Sequence, residues 1–172
     1  MAFLEIHTFP DPILKQKSQP VTVFDQDLDE TTKSMLETMY VSSGIGLAAV
    51  QVGILKQIIV IDLKSGEEDH SLREPHVFIN PNIVKKSGTT VSEEGCLSVF
   101  DFRAEIERAE IITVEYKDVV GNCQQMKADD MMSVCLQHEI DHLNGILFID
   151  HLPLLKQKMV KKRLTKLGNN EA

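Results

Sequence analysis

His138, Glu139 and His142 combine metal-ligating and acid–base chemistry within one short segment of the chain. On a helix, positions i and i+4 lie one above the other on the same face, so the two imidazoles can ligate one divalent ion. The Glu139 carboxylate then lies beside that ion, where it can take a proton from water. A single histidine on such a face is usually a hydrogen-bonded core residue, but this pair with its glutamate predicts a metal site.

Two histidines leave the coordination incomplete, because catalytic zinc-type sites usually use three protein ligands and one open position. The residues after His142 follow the metzincin spacing as far as Gly145, and Phe148 then takes the position of that motif's third histidine. Asp150 and His151 come next, but the chain would need a sharp return to bring either one back to the helix. The downstream segment therefore offers only weak candidates for the third ligand.

The cysteines are the other candidate ligands. Cys135 precedes His142 by seven residues, about 10 Å along a helix axis, so it can hardly join both histidines and is better interpreted as part of a pocket wall. Cys123 lies in a plain strand pattern without polar neighbours. Cys96 follows a glycine, which permits close approach of the backbone, and has an acidic residue nearby. Cys96 is therefore the best cysteine candidate.

Three helices are predicted. The first covers residues 27–41 and begins with Asp27 and Glu30, which resemble a capping box. The second covers residues 129–144 and carries the histidine pair, with a glycine after its end. The third begins at Pro153, where the missing N–H of proline costs nothing.

Apolar and alternating segments between these helices predict strands. Residues 57–63 have the composition of a buried strand. The remaining candidates are short and alternate or lie between turn residues: 76–79, 83–86, 89–92, 111–117 and 123–127. The order of helix, strands, helix and tail helix indicates an α+β fold rather than a regular βαβ alternation.

Composition places the chain among globular proteins. Its 172 residues fit one domain, so we expect residues 1–172 to form a single unit, and 42% hydrophobic residues argue against disorder. No apolar run approaches the length needed to span a bilayer. The first residues lack the pattern of a secretory signal, so we expect a cytoplasmic protein with free thiols at its three cysteines.

Charge is divided unevenly along the chain. Residues 153–172 carry six cations and one anion, a net charge of +5, whereas the remainder carries −13. A basic tail helix on an acidic body favours an anionic partner for the tail. A solvated helix whose cations complement its own dipole is the alternative.

Three segments together resemble the motifs of the peptide deformylase family and occur in the family's order. They are GIGLAAVQ at 44–51, EGCLS at 94–98 and QHEIDH at 137–142. The segments at 9–12 and 18–21 are also similar to the start of that family, so the resemblance covers nearly the whole chain. It implies mixed, mostly antiparallel sheets packed around a central HExxH helix, with an N-terminal and a C-terminal helix.

The resemblance also implies a role for each matching residue. Glu139 would act as general base and then as acid, while the Gln51 side chain and the Leu97 backbone N–H would bind the developing oxyanion. Three ligands would hold one divalent metal ion: Cys96, His138 and His142. The substrate pocket would be formed by six residues: Gly44, Ile45, Gly46, Met131, Val134 and Cys135.

The implied reaction is hydrolysis of the N-formyl group of formyl-methionine at the start of newly synthesised polypeptides, with release of formate. The ion would be Fe(II), with Ni, Co or Zn as substitutes. The expected partners are nascent formyl-methionyl polypeptides, together with a ribosome contact through the basic C-terminal helix. Neither a membrane nor a specific DNA sequence is expected as a partner.

Two positions depart from the family pattern. Phe100 stands where the family commonly has proline, and Ser92 stands where apolar residues are common. We expect these changes to alter the rim and one wall of the substrate pocket. Two alternative functions are an HExxH-type metallopeptidase, against which the missing downstream ligand argues, and a metal-stabilised homologue without turnover, against which intact Glu139 and Gln51 argue.

Overall fold

Helices and antiparallel strands alternate irregularly along the chain, as expected for an α+β protein. The computed structural model describes residues 3–171, with side chains as far as residue 167. Its helices are α1 (Gln26–Val41), α2 (Asp130–Leu143) and α3 (Leu154–Glu171). Its strands are β1 (Gly46–Ala48), β2 (Ile58–Ile61), β3 (His76–Ser87), β4 (Thr90–Cys96), β5 (Val99–Arg108), β6 (Ile111–Lys117) and β7 (Cys123–Ala128).

The strands form two antiparallel groups. The larger is a five-stranded sheet in the order β1-β2-β3-β6-β7, and the smaller is the β4–β5 hairpin. Within the described part of the chain, four 3-10 helices connect these elements: Pro12–Lys15, Ala49–Val52, His70–Leu72 and Phe148–His151. The α+β class predicted from the order of elements is confirmed.

Strand β2 lies at the centre of the core. All four of its residues are fully buried. Ile58 and Val60 join the apolar cluster that contains Met35 and Met39 of α1. The two alternate residues, Ile59 and Ile61, join a separate cluster with residues of α2. Because side chains alternate across a strand, this one short segment packs against both helices.

Helix α2, which carries the histidine pair, is fixed at its C-terminal end. Gly145 has a φ of 74°, which favours glycine, and a Cβ there would collide with the Lys15 carbonyl oxygen. Beyond it, Phe148 and Ile149 pack with the hairpin and with Val160 and Leu164 of α3. The connection after α2 therefore joins the site helix to both the hairpin and the tail helix.

The predicted start of α1 was wrong by one residue, and the predicted cap was wrong by two. Asp25, not Asp27, accepts a hydrogen bond from the Leu28 backbone N–H at 3.0 Å. Glu30 accepts a hydrogen bond from the Gln26 side chain instead of closing a capping box.

Strand β3 replaces two predicted short strands. It continues through Asn80 and Pro81 because the register shifts between Ile79 and Asn82, which accommodates the proline in a bulge. Asn80 has a φ of 51° and exchanges two hydrogen bonds with the Val21 backbone. The Asn80-Pro81 pair, which usually marks a turn, therefore forms a bulge, because the Val21 backbone binds the Asn80 side chain.

Strand β5 was missed in the sequence, and β4 is longer than predicted. Both belong to the hairpin that carries Cys96, whose Cα pairs with that of Val99.

Among residues 3–171, no helix is both long and apolar enough to cross a bilayer.

Candidate metal centre

The folded chain brings together one thiol and two imidazoles. Cys96 lies at the end of β4, and His138 and His142 lie on α2, with ring centroids 5.0 Å apart. One ligand atom from each of the three residues lies within 4.8 Å of the other two. The Cys96 Sγ is 3.3 Å from the His142 Nε2. These three residues are the ligand set that the family resemblance implies.

The competing third ligands lie elsewhere. The Asp150 carboxylate pairs with the Lys161 ammonium at 2.6 Å and accepts a hydrogen bond from the Leu147 N–H at 2.8 Å. His151 Nε2 lies 2.8 Å from Asp141 Oδ2. Cys123 is exposed on β7. His151 thus returns to α2 at Asp141 and not at the histidine pair, and among the described residues the grouped ligand atoms belong to Cys96, His138 and His142.

A buried ion-pair chain holds the His138 ring. Glu94 Oε1 is 2.8 Å from His138 Nδ1, so the Nε2 of that ring remains for an ion. Arg108 donates to both Glu94 oxygens, through Nε and Nη2, at 2.8 Å each. The Arg108 Nη1 donates to Asp141 Oδ2 at 2.7 Å. Residues from β4, β5 and α2 thus fix the orientation of one candidate ligand.

Electrostatics around the ligands favours a charged Glu94 carboxylate and a neutral His142 imidazole. Burial alone would raise the pKa of Glu94, but hydrogen bonds from Arg108 and His138 outweigh it and hold that pKa below its usual value. Burial lowers the pKa of His142, and the neighbouring His138 adds to this effect. His142 therefore stays neutral, as a metal ligand must.

Burial also sets the pKa of Glu139, which is only 5% exposed. Loss of solvation raises the pKa of Glu139 to about 7, although the neighbouring His138 opposes the shift. Its Oε1 lies 3.9 Å from His138 Nε2. Its Oε2 is buried without a hydrogen-bond partner among residues 3–171. A carboxyl group with this pKa can both accept and return a proton near neutral pH.

Gln51 extends toward the same centre from the 3-10 helix Ala49–Val52. Its Oε1 accepts a hydrogen bond from the Ala48 N–H at 2.9 Å, and its Nε2 lies 3.6 Å from Cys96 Sγ. Leu97 follows Cys96 directly. Its side chain packs against Gly44, where an added Cβ would lie 2.7 Å from Leu97 Cδ1. The Gln51 amide therefore adjoins the thiol in space, and Leu97 adjoins it along the chain.

A cavity of about 390 Å³ opens beside these groups. This volume lies in the usual range for small-ligand sites. All six predicted substrate-binding residues line it: Gly44, Ile45, Gly46, Met131, Val134 and Cys135. Gln51, Cys96, Leu97, His138 and Glu139 line the same cavity. The fold thus places the apolar wall and the candidate reactive groups around one space.

The two departures from the family pattern differ in position. Ser92 lines the cavity, whereas Phe100 is 67% exposed and lies outside the lining. The expected change in the pocket wall therefore concerns Ser92.

Sequence reasoning missed Arg108 and Ser98. Arg108 was detectable, because it occupies a buried position in the alternating pattern of β5, where a charge requires a partner. Ser98 had no comparable signal, since a serine two residues after a cysteine is unremarkable until its contacts are known.

The residues fit a divalent ion. A thiolate with two neutral imidazoles is a donor set that suits Zn, Fe and similar transition metals. The Glu94 contact to His138 is the kind of outer hydrogen bond that metal-ligating histidines require.

Known proteins share both the sequence and the fold. The family model described as polypeptide deformylase matches residues 3–158. A peptide deformylase of Rhizobium meliloti is 52% identical over 91% of this chain and 89% of its own length. Peptide deformylase 1 of Shewanella oneidensis is 45% identical over 100% of this chain and 99% of its own.

Solved structures agree with these matches. A peptide deformylase crystal structure from Legionella pneumophila superposes with a TM-score of 0.89 at 38% identity, covering 99% of this chain and 98% of that one. A peptide deformylase crystal structure from Ehrlichia chaffeensis, in complex with actinonin, superposes with a TM-score of 0.88 at 40% identity. It covers 96% of this chain and 98% of that one. The chain therefore belongs to the polypeptide deformylase family.

Proposed function

We propose that this chain is a metal-dependent peptide deformylase in which Cys96, His138 and His142 hold one divalent ion. It removes the N-formyl group from the formyl-methionine of newly synthesised polypeptides and releases formate. One observation carries the proposal: three ligand atoms lie within 4.8 Å of one another beside the buried Glu139 carboxyl. Family membership does not favour a metallopeptidase or a homologue without turnover.

When bound, the ion supplies positive charge and a water ligand of lowered pKa beside the formyl group. Glu139 takes a proton from the attacking water and returns it to the departing amine, so the base becomes the acid. The Gln51 side-chain N–H and the Leu97 backbone N–H donate to the oxyanion that develops on the formyl oxygen. The Gln51 amide is held before reaction by its bond from the Ala48 N–H, which avoids reorganisation in the transition state.

The methionine side chain occupies the cavity between Ile45, Met131 and Val134. These apolar side chains line the same cavity as the reacting groups. Gly44 and Gly46 let the backbone of their loop approach the substrate chain closely. Cys135 completes the wall, and burial raises the pKa of its thiol to about 12, which keeps it uncharged.

We further propose Fe(II) as the physiological ion, with Ni, Co or Zn as substitutes. The family resemblance and the thiolate–imidazole set support this choice. Metal analysis of anaerobically purified protein tests it: about one iron per chain is expected, and stoichiometric zinc with no iron would contradict it.

The remaining proposals concern the whole chain. Residues 1–172 form a single catalytic domain, which the family match over residues 3–158 supports. The enzyme acts in the cytoplasm of a bacterial-type cell on nascent formyl-methionyl chains. Its basic segment, residues 153–172, contacts the ribosome, where those chains emerge.

The direct test is formate release from formyl-Met-Ala-Ser by the metal-loaded enzyme. Glu139→Gln keeps the size of the side chain and removes its basicity, so we expect metal content to persist and turnover to fall at least about 100-fold. Glu105→Gln, an exposed acid on β5, is the control and should retain activity. Full activity in Glu139→Gln would end the proposed mechanism, and internal cleavage of unformylated peptides would favour a peptidase.

A further inference from the structure

The Gln51 amide is held at both ends. Its Oε1 accepts a hydrogen bond from the Ala48 backbone N–H at 2.9 Å, which determines which end of the amide is oxygen. Its Nε2 therefore carries two hydrogens that face the other way. Through one of them Nε2 donates to Ser98 Oγ, with 3.0 Å between nitrogen and oxygen. The same nitrogen lies 3.6 Å from Cys96 Sγ.

Ser98 is fully buried, and its hydroxyl proton is already used. Its Oγ donates to the His7 carbonyl oxygen at 2.7 Å. A hydroxyl has one proton, so toward Gln51 the Ser98 oxygen acts as an acceptor. The hydrogen bonds therefore run in one direction, from the Gln51 amide to Ser98 and from Ser98 to His7.

Backbone hydrogen bonds from the N-terminal segment also hold Gln51 and Ser98. The Phe9 N–H donates to the Ser98 carbonyl oxygen at 2.8 Å, and the His7 N–H donates to the Gln51 carbonyl oxygen at 2.7 Å. Gln51 and Ser98 are thus each bound to residues 7–9 independently of their bond to each other. Their relative position does not depend on the side chains alone.

We propose that Ser98 is a positioning residue for deformylation. By accepting one N–H of Gln51, the Ser98 hydroxyl directs the second N–H toward the space beside Cys96, where the formyl oxyanion develops. The proposal rests on the function given above and on the role of Gln51 as an oxyanion donor. The reaction itself is unchanged, and Ser98 acts only through Gln51.

The expected kinetic signature follows from this indirect role. Removing one oxyanion donor typically costs about 100- to 1000-fold in kcat, and a donor that is present but misdirected costs part of that. Ser98→Ala should therefore lower kcat about 10-fold and change KM less than about twofold, because the donor matters most in the transition state. Metal content should not change, since the hydrogen bonds of the Ser98 hydroxyl go to Gln51 and His7.

A double-mutant cycle separates positioning from general structural support. We would measure formate release from formyl-Met-Ala-Ser by the metal-loaded unmodified enzyme, Ser98→Ala, Gln51→Ala and the double variant. If Ser98 acts through Gln51, the Ser98→Ala change should cost less than about twofold in the Gln51→Ala background. If Ser98→Ala does not fold, Ser98→Cys keeps the volume and weakens both hydrogen bonds, and it takes the same place in the cycle.

Two results would overturn the proposal. One is a Ser98→Ala loss of equal size with and without Gln51, which would show support of the site as a whole. The other is full activity in Gln51→Ala, which would remove the donor that Ser98 is said to direct. Neither result would touch the deformylase function, which the unmodified enzyme tests by itself in the same assay.

Discussion

At the scale of single residues, the space for the Glu139 side chain is set by a glycine in another segment. A Cβ on Gly46 would lie 2.9 Å from Glu139 Oε1 and 3.2 Å from its Cδ and Cγ. Glu139 is buried on α2, so it has little room to yield. Gly46 is therefore required by close packing against the proposed general base.

We predict that Gly46→Ala displaces Glu139 and lowers kcat about 10- to 100-fold, because misplacement of about 1 Å at a reacting group has that effect. Formate release and metal content would be measured together. Gly66→Ala is the matched control, since a Cβ there meets nothing within 4 Å. Equal activity of the two variants would show that the carboxylate position does not limit the reaction.

Residue types and spacing predicted much of the site. The His138–Glu139–His142 pattern has a local meaning on a helix, and the motif around Cys96 supplied the third ligand through resemblance. The Ser98–His7 hydrogen bond could not be predicted in the same way, since it joins residues 91 positions apart. Such contacts depend on the tertiary fold and leave no periodic signal.

At the scale of elements, Arg108 connects three of them. It pairs with Glu94 on β4 and Asp141 on α2, and it stands on β5. Its side chain is almost completely buried, as is that of Glu94. Removing one partner of such a pair leaves the other charge buried and uncompensated, which is more costly than losing an exposed ion pair.

We predict that Arg108→Ala destabilises the fold by about 3–5 kcal/mol. It should also weaken metal retention about 10- to 100-fold, because Glu94 would no longer be fixed against His138. Chemical denaturation measures the first effect and chelator competition the second. Lys33→Ala removes an exposed pair with Asp29 and should leave both readouts unchanged. If folded Arg108→Ala retains the metal as well as the unmodified protein, Arg108 does not support metal binding through Glu94 and His138.

Elements with strong periodicity were predictable, and those shaped by partners were not. Strand β6 has the predicted bounds because its alternation is regular. The two halves of β3 were separated in the prediction because Asn80 and Pro81 usually mark a turn, whereas Val21 binds Asn80 and the strand continues. Strand β5 did alternate from residue 102 onward, so its omission was an error of interpretation.

At the scale of the whole molecule, the tail helix is both packed and exposed. Val160 and Leu164 bury one face of α3 in the hairpin cluster, while Lys162, Arg163 and Lys166 remain exposed. Lys161 differs, because it pairs with Asp150 at 2.6 Å and helps to hold the helix in place. Lys162, Arg163 and Lys166, rather than Lys161, are therefore the cations to change when the proposed ribosome contact is tested.

We predict that changing Lys162, Arg163 and Lys166 to Glu lowers co-sedimentation with ribosomes, most clearly at low salt, because phosphate contacts weaken steeply with ionic strength. Deformylation of short peptides should persist, since these residues lie outside the cavity. A control with the exposed residues Lys15, Lys85 and Lys127 changed to Glu makes the same charge change on the body. Equal binding by the two triple variants would leave the tail as a solvated helix.

The most direct test of the account is X-ray absorption at the metal edge of the zinc-loaded enzyme. We predict one sulfur at about 2.3 Å and two imidazole nitrogens at about 2.0–2.1 Å. The sulfur contribution should vanish in Cys96→Ser and persist in Cys135→Ser, which changes the other thiol of the same cavity. A metal without sulfur in the unmodified enzyme, or with sulfur retained in Cys96→Ser, would contradict the proposed centre.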